Sequence, residues 1–207
     1  MGGCGSKGAQ TRSPGSSGIK MTNERSDESA SGGKVKIILV GAGGVGKTSI
    51  LLQFSDGLFS ADRPPTIGVD FKSQDIKVGT PPFAKTVKLE LDTAGQERFR
   101  SVISSFFRDA DGVLLVFDLT EPQSLSSLDS WLVEVRKHAS STVEVLMVGN
   151  KSDLVEKRKV SDEEAQAAAE EFGLKMLTCS ALDRPSVIRC LGTLATDILD
   201  SKRKRRT

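Results

Sequence analysis

The sequence predicts an α/β fold: a mostly parallel six-stranded sheet with helices on both faces. Three observations predict it. Short apolar runs of buried-strand length alternate with segments of helical periodicity across residues 34–200. A glycine-rich loop ending in Lys-Thr follows the first apolar run. Further polar motifs fall directly after later runs, at the carboxyl ends of strands, where such sheets hold ligands.

Taken in order, residues 35–40 (VKIILV) form a dense apolar run and predict the first strand. A glycine-rich turn leads into a helix over 46–54. Residues 68–78 and 83–91 predict two strands, joined through Gly79-Thr80-Pro81-Pro82, a loop by its composition. Residues 113–117 predict another buried strand. A helix is expected over 124–138, where Leu125, Leu128, Leu132 and Val135 recur at steps of three and four. Residues 143–148 predict a strand. Ser161 and Glu164 have capping-box spacing, so a helix is expected over 161–172. A last strand (174–179) and a last helix (186–199) complete the pattern, and no repeat of 20–50 residues interrupts it.

The 207 residues, 37% of them hydrophobic, suffice for one ordinary core. Residues 34–200 are expected to form that domain. Residues 1–33 are rich in Gly and Ser and lack the large apolar side chains needed to offset ordering entropy, so they predict a flexible extension. Residues 201–207 (SKRKRRT) form a basic tail with five cations and no acid. The net charge of +2 therefore hides a domain of about −4, which disfavours a broad nucleic-acid face. The tail suits an anionic membrane surface. Cys4, Cys179 and Cys190 show neither zinc spacing nor an even disulfide framework, which fits a reducing cytosol. No secretory signal and no apolar run of spanning length is present.

The chemistry lies in the loops. Residues 41–48 (GAGGVGKT) match G-x-x-x-x-G-K-[ST] between a strand and a helix. Glycines let the backbone wrap phosphates, and backbone N–H groups at a helix start bind the anion. Gly43, Gly44, Val45, Gly46, Lys47, Thr48 and Ser49 are thus nucleotide-binding candidates. Lys47 would reach the β- and γ-phosphates and the Thr48 hydroxyl would ligate Mg²⁺. In Asp92-Thr93-Ala94-Gly95-Gln96, Asp92 can hold Mg²⁺ through water, Gly95 can offer its N–H to a γ-phosphate, and Gln96 can orient the attacking water. Thr66, in the loop before the second strand, can complete the metal shell and sense the γ-phosphate. The catalytic set is Gln96, Lys47, Thr66 and Gly95; the metal set is Thr48, Thr66 and Asp92.

Asn150-Lys151-Ser152-Asp153 points to guanine. The Asp153 carboxylate can accept hydrogen bonds from guanine N1–H and the 2-amino group. Adenine offers neither and would leave a carboxylate in a partly buried site unpaired, at a cost. The Asn150 amide can tie neighbouring loops together, and the Lys151 stem can cover the base plane. Ser180 and Ala181 supply backbone N–H groups toward the base oxygen, and Phe59 can cover the base edge.

On these residues the chain resembles the Ras superfamily across 34–200: GAGGVGKT (41–48), PTIGVDF (65–71), DTAGQERFR (92–100), GNKSD (149–153) and TCSA (178–181). IGVDF with QERFR is similar to the Rab branch, whose members direct vesicle traffic. The resemblance implies a P-loop GTPase domain and a GTP/GDP cycle with Mg²⁺. It implies switch segments near 59–71 and 93–108 that order around GTP. It also implies exchange factors, GTPase-activating proteins and effectors as partners, a monomer, slow intrinsic hydrolysis, and a cytosolic protein peripheral to an endomembrane or the plasma membrane.

The chain departs from that pattern at four places. Leu91 stands where Rab proteins carry a Trp that shapes an effector surface, leaving Phe71 and Phe107 as candidates for it. Arg63-Pro64-Pro65 stiffens the loop before Thr66. Leu182 replaces the Lys expected after Ser180-Ala181, which would loosen base binding modestly. Gly43 stands where many Rabs have Ser and leaves room for a partner's arginine. The tail carries no cysteine for prenylation; the expected anchor is instead N-terminal. Residues 1–6 (MGGCGS) fit the myristoylation pattern at Gly2, with Cys4 a palmitoylation candidate. A GTP-binding scaffold with little hydrolysis is the alternative reading; a small-molecule kinase is disfavoured by the NKSD motif and the lack of an evident lid.

Overall fold

A computed structural model of the chain describes residues 1–2, 31–60, 69–79, 85–94 and 107–206. Six strands form one sheet in the order β2-β3-β1-β4-β5-β6. They are β1 (Ser31–Val40), β2 (Val69–Val78), β3 (Lys85–Ala94), β4 (Gly112–Asp118), β5 (Glu144–Asn150) and β6 (Lys175–Thr178). Among the described residues only the β2–β3 pair is antiparallel, so the expected mostly parallel sheet is what forms.

The helices described from end to end are α1 (Lys47–Ser55), α2 (Pro122–Ser126), α3 (Leu128–His138), α4 (Asp162–Phe172) and α5 (Arg184–Lys204), with a short 3₁₀ turn at Val155–Lys157. Strand alternation sends successive side chains to opposite faces. Ile37, Leu39, Leu114, Val116 and Val148 pack with Leu51 and Phe54 of α1 and Val187, Leu191 and Leu194 of α5. Ile38, Val40, Val113, Leu115, Phe117 and Met147 pack with Trp131, Leu132 and Val135 of α3 and Ala165 and Ala169 of α4. Both faces of the central strands are covered, which is why β4 is buried at every position.

The predicted elements hold, with shifted ends. β1 begins at Ser31, ahead of the expected start at 35, by pairing with Thr86 of β3. The helix expected over 124–138 is two helices with a break at Ser127. Here serines turn onto the backbone: Ser124 Oγ donates to the Glu121 carbonyl at 2.6 Å and accepts from Asp118 N–H at 2.9 Å, while Ser127 Oγ donates to the Ser124 carbonyl at 2.8 Å. The predicted capping box forms in both directions, Glu164 N–H to Ser161 Oγ at 3.1 Å and Ser161 N–H to Glu164 Oε2 at 2.8 Å. Gly173 ends α4 in the left-handed conformation, at φ 70°.

α5 starts earlier and ends later than expected. Asp183 caps it, accepting from Ser186 N–H at 3.2 Å, and Pro185 occupies the first turn where a missing N–H costs nothing. Its far end runs through basic residues to Lys204, held by the Lys202–Asp111 ion pair at 2.5 Å and by a Ser201–Glu144 hydrogen bond. Cations in a last helical turn also offset the macrodipole.

Candidate functional site

The loop from β1 to α1 is shaped by glycine. Gly44 and Gly46 have φ of 77° and 95°, in the left-handed region. A Cβ on Gly41 would lie 2.0 Å from the Val116 carbonyl oxygen, and one on Gly46 would lie 2.3 Å from Asn150 Nδ2. The loop therefore presses against β4 on one side and β5 on the other. Gly43 and Gly44 are exposed, with open space where a Cβ would sit. Lys47 opens α1 and is buried; its Nζ donates to the Gly41 and Ala42 carbonyls at 2.7 and 2.6 Å, so the ammonium is curled back over the loop. Thr48 and Ser49 follow in the first turn, both half-buried.

Asn150 ties the site together. It is 1% exposed; Nδ2 donates to the Val45 carbonyl at 2.8 Å and Oδ1 accepts from Ala181 N–H at 3.1 Å. One amide thus joins the phosphate loop, the end of β5 and the loop after β6. Oδ1 also faces Cys179 Sγ at 3.6 Å. The hydrogen bond with the adjacent Cys190 sulfur, and after it burial, push the Cys179 thiol well above its ordinary range, so it remains neutral.

The other base candidates stand around this tie. Lys151 adopts φ 66°, a conformation that a non-glycine residue takes at a cost, and its Nζ pairs with Asp118 Oδ2 at 2.6 Å. Asp118, at the end of β4, is buried and also accepts from Thr120 N–H and Oγ1, each at 2.8 Å. Asp153 accepts a hydrogen bond from the Ser180 hydroxyl. Its position is exposed, on the chain that leaves the sheet directly after β5. Ser180 is buried and its hydroxyl accepts from Leu182 N–H at 3.0 Å. Phe59, 42% exposed, lies beyond α1 on the chain leading to Thr66.

Asp92 sits on β3 opposite Ile38, and Thr93 opposite Leu39, so the described part of Asp92–Gln96 lies beside the end of β1, from which the glycine loop departs. Thr66, Gly95, Gln96 and Cys4 lie outside the described residues, as do the Arg63-Pro64-Pro65 segment and most of the 1–33 extension. Mg²⁺ demands hard oxygen donors. Thr48, in the first turn of α1, is a hydroxyl residue of that kind, and Asp92, an acid, stands on β3 beside β1. Both residue types suit the ion.

Two of the four departures read differently in three dimensions. Leu91 is fully buried, so it belongs to the core under α1 rather than to a surface. Phe107 joins the opposite core, leaving Phe71, 54% exposed on β2, as the surface member of that pair. Leu182 is exposed, but its carbonyl accepts from Gln53 Nε2 of α1 at 2.9 Å. Sequence reasoning passed over Asp118, Gln53 and Arg184. Asp118 carried a signal, an acid at the carboxyl end of a buried strand; the other two carried none.

The Ras family model matches residues 36–200. The chain is 43% identical over 164 residues to Ras-related protein RGP2 of Oryza sativa subsp. japonica, covering 79% of this chain and 74% of that protein. It is 41% identical over 165 residues to Ras-related protein Rab-8B of Dictyostelium discoideum, covering 79% of each. It is 42% identical over 167 residues to GTP-binding protein yptV2 of Volvox carteri, covering 80% of this chain and 75% of that protein. With a glycine-wrapped lysine, a buried asparagine joining three loops and this match along most of its length, the chain belongs to the Ras family of small GTPases.

Proposed function

We propose that the protein is a Rab-like switch on the cytosolic face of an endomembrane, binding effectors in its GTP state and releasing them after hydrolysis. The observation that carries the reading is the Asn150 tie. It braces the phosphate loop and the base loop against each other, as a site for one molecule with phosphates at one end and a base at the other requires.

In this reading Lys47 leaves its two loop carbonyls to contact the β- and γ-phosphates. Backbone N–H groups of Gly43–Ser49 stabilise the transferring charge, with Gly95 adding one more. Asp153 selects guanine, Ser180 and Ala181 line the base oxygen, and Phe59 covers the base edge. Gln96 orients the water. Thr48, Thr66 and, through water, Asp92 would hold Mg²⁺, which neutralises charge between the phosphates. Partners are an exchange factor, an activating protein and effectors, the last reading Phe71 beside the switch segments. A partner's arginine entering over Gly43 would add about 10³–10⁵ in rate.

Membrane contact in this reading is bipartite. Myristate on Gly2 alone binds marginally, about 10⁴ M⁻¹, so a second signal is needed. Palmitate on Cys4 supplies one. The exposed Arg203, Lys204, Arg205 and Arg206 at the end of α5 supply another, at the pole of the sheet opposite the nucleotide loops. Among the described residues, no helix is long and apolar enough to cross a membrane.

Single-turnover hydrolysis of GTP, with and without an activating protein, tests the switch. Wild type should turn over slowly and Gln96→Leu should not respond to the activator. Equal inertness of both proteins would instead support the scaffold alternative.

A further inference from the structure

Where Leu182 replaces a lysine expected to grip the base, the loop carrying it is held from behind. Arg184, the first residue of α5, reaches across to the end of α1 and to β2. Its Nη2 donates to the Phe54 carbonyl at 3.1 Å. With the Gln74 side chain oriented to satisfy both of its ends, the same Nη2 donates to the Gln74 amide oxygen at 3.2 Å while the Gln74 nitrogen donates to the Phe54 carbonyl. The guanidinium lies on Gly57, where a Cβ would come within 2.9 Å of Nη1. Gly57 has φ 65°, so the bend that admits the arginine is itself one that favours glycine. One turn earlier in α1, Gln53 Nε2 holds the Leu182 carbonyl at 2.9 Å.

Two structural branches meet at this arginine. Behind it, Ser180, Ala181 and Leu182 form the loop that Asn150 anchors at Ala181 N–H. Ahead of it, the chain leaves α1 after Ser55, bends at Gly57 and reaches Phe59 two residues later. The loop toward the base oxygen and the aromatic toward the base edge are therefore fastened to one another through Arg184.

We propose that Arg184 is a positioning residue that sets how long nucleotide stays bound, by clamping the Ser180–Leu182 loop to the Phe54–Phe59 segment. This rests on the nucleotide-site reading above. Without the clamp both walls of the base pocket open independently, so the bound state loses lifetime. Encounter, which depends on the exposed glycine loop, keeps its rate.

The test is stopped-flow fluorescence with N-methylanthraniloyl-GDP on the full chain. Dissociation is measured by chase with excess GDP, and association by mixing with nucleotide-depleted protein. Arg184→Ala should raise the dissociation rate about tenfold, since hydrogen bonds from a charged donor outweigh neutral ones. Its association rate should stay within about twofold, as expected when affinity changes reside in dissociation. Arg184→Lys, which keeps the charge but not the fork, should recover part of the loss. Gln74→Leu should raise dissociation with the arginine intact, and the double variant should fall short of the product of the two effects. An unchanged dissociation rate in folded Arg184→Ala and Gln74→Leu would overturn the proposal, as would full additivity or no lysine rescue. Failure of wild type to bind the GDP probe at all would remove the nucleotide-site reading and the clamp with it.

Discussion

Replacing Asn150 by Ala removes the amide on which three segments converge. Its Nδ2 donates to the Val45 carbonyl at 2.8 Å and its Oδ1 accepts from Ala181 N–H at 3.1 Å. Val45 and Ala181 are both buried, so bulk water does not readily replace the lost partner. A buried polar group left unpaired costs about 1–3 kcal/mol. The carbonyl retains a second lone pair, which places the two losses together at roughly 2–4 kcal/mol. That is a large share of the roughly 5–15 kcal/mol that holds a domain folded. A domain of this size loses about 2–4 °C of melting temperature per kcal/mol, so the variant should melt roughly 5–15 °C below wild type. Circular dichroism melts at one fixed, saturating GDP concentration provide the measure, because nucleotide bound to the native state itself raises the midpoint. Asn150→Asp keeps the acceptor for Ala181 but sets a carboxylate against the Val45 carbonyl oxygen, and should be no better than Ala. Melting of Asn150→Ala within about 2 °C of wild type would refute the reasoning, since stranded buried groups on this scale cannot be silent.

The glycine loop supplies further expectations. Gly41→Ala should fail to give soluble protein, because its Cβ meets the Val116 backbone oxygen at 2.0 Å and backbone cannot swing aside. Gly43→Ala, with open space around it, should melt within about 2 °C of wild type, as surface substitutions away from special features usually do. Cys179 should resist iodoacetamide in the native protein at pH 8 and react once urea exposes it, as mass spectrometry of the labelled peptide would show. The sign of its pH linkage follows from the raised thiol. Its contribution to stability is complete below the ordinary value of 9.0 and declines as pH rises above it, where the unfolded chain ionises first.

The strands were legible because burial on both faces leaves dense apolar runs. Residues 113–117 are such a run, and β4 is buried throughout. The glycine loop was legible because its conformation admits few residues, and Gly44 and Gly46 do sit in the left-handed region. Element ends were less so. Ser127 gives no sign of whether its hydroxyl faces water or turns back on the Ser124 carbonyl, and the second choice divides the helix. The basic stretch after Leu199 resembles a solvated tail until Asp111 and Glu144, distant in sequence, hold it against the domain. Within the site, the Asn150 role followed from chemistry at a strand end. Lys151 reaching Asp118 on the neighbouring strand, Gln53 reaching Leu182 and Arg184 reaching Phe54 join residues far apart in sequence, and no local pattern announces such a pairing. Phe107 was ambiguous for the same reason, since a lone aromatic fits a core and a surface equally well and only the arrangement of α3 and β4 decides.

The most direct test of the central claim is the identity of nucleotide retained by the purified full-length chain, released by acid and resolved by ion-exchange chromatography. The account predicts about one guanine nucleotide per chain, chased by added GDP but not by ADP, because guanine can donate to Asp153 from N1–H and the 2-amino group and adenine cannot. Recovery of adenine nucleotide, or exchange with ADP as readily as with GDP, would contradict it.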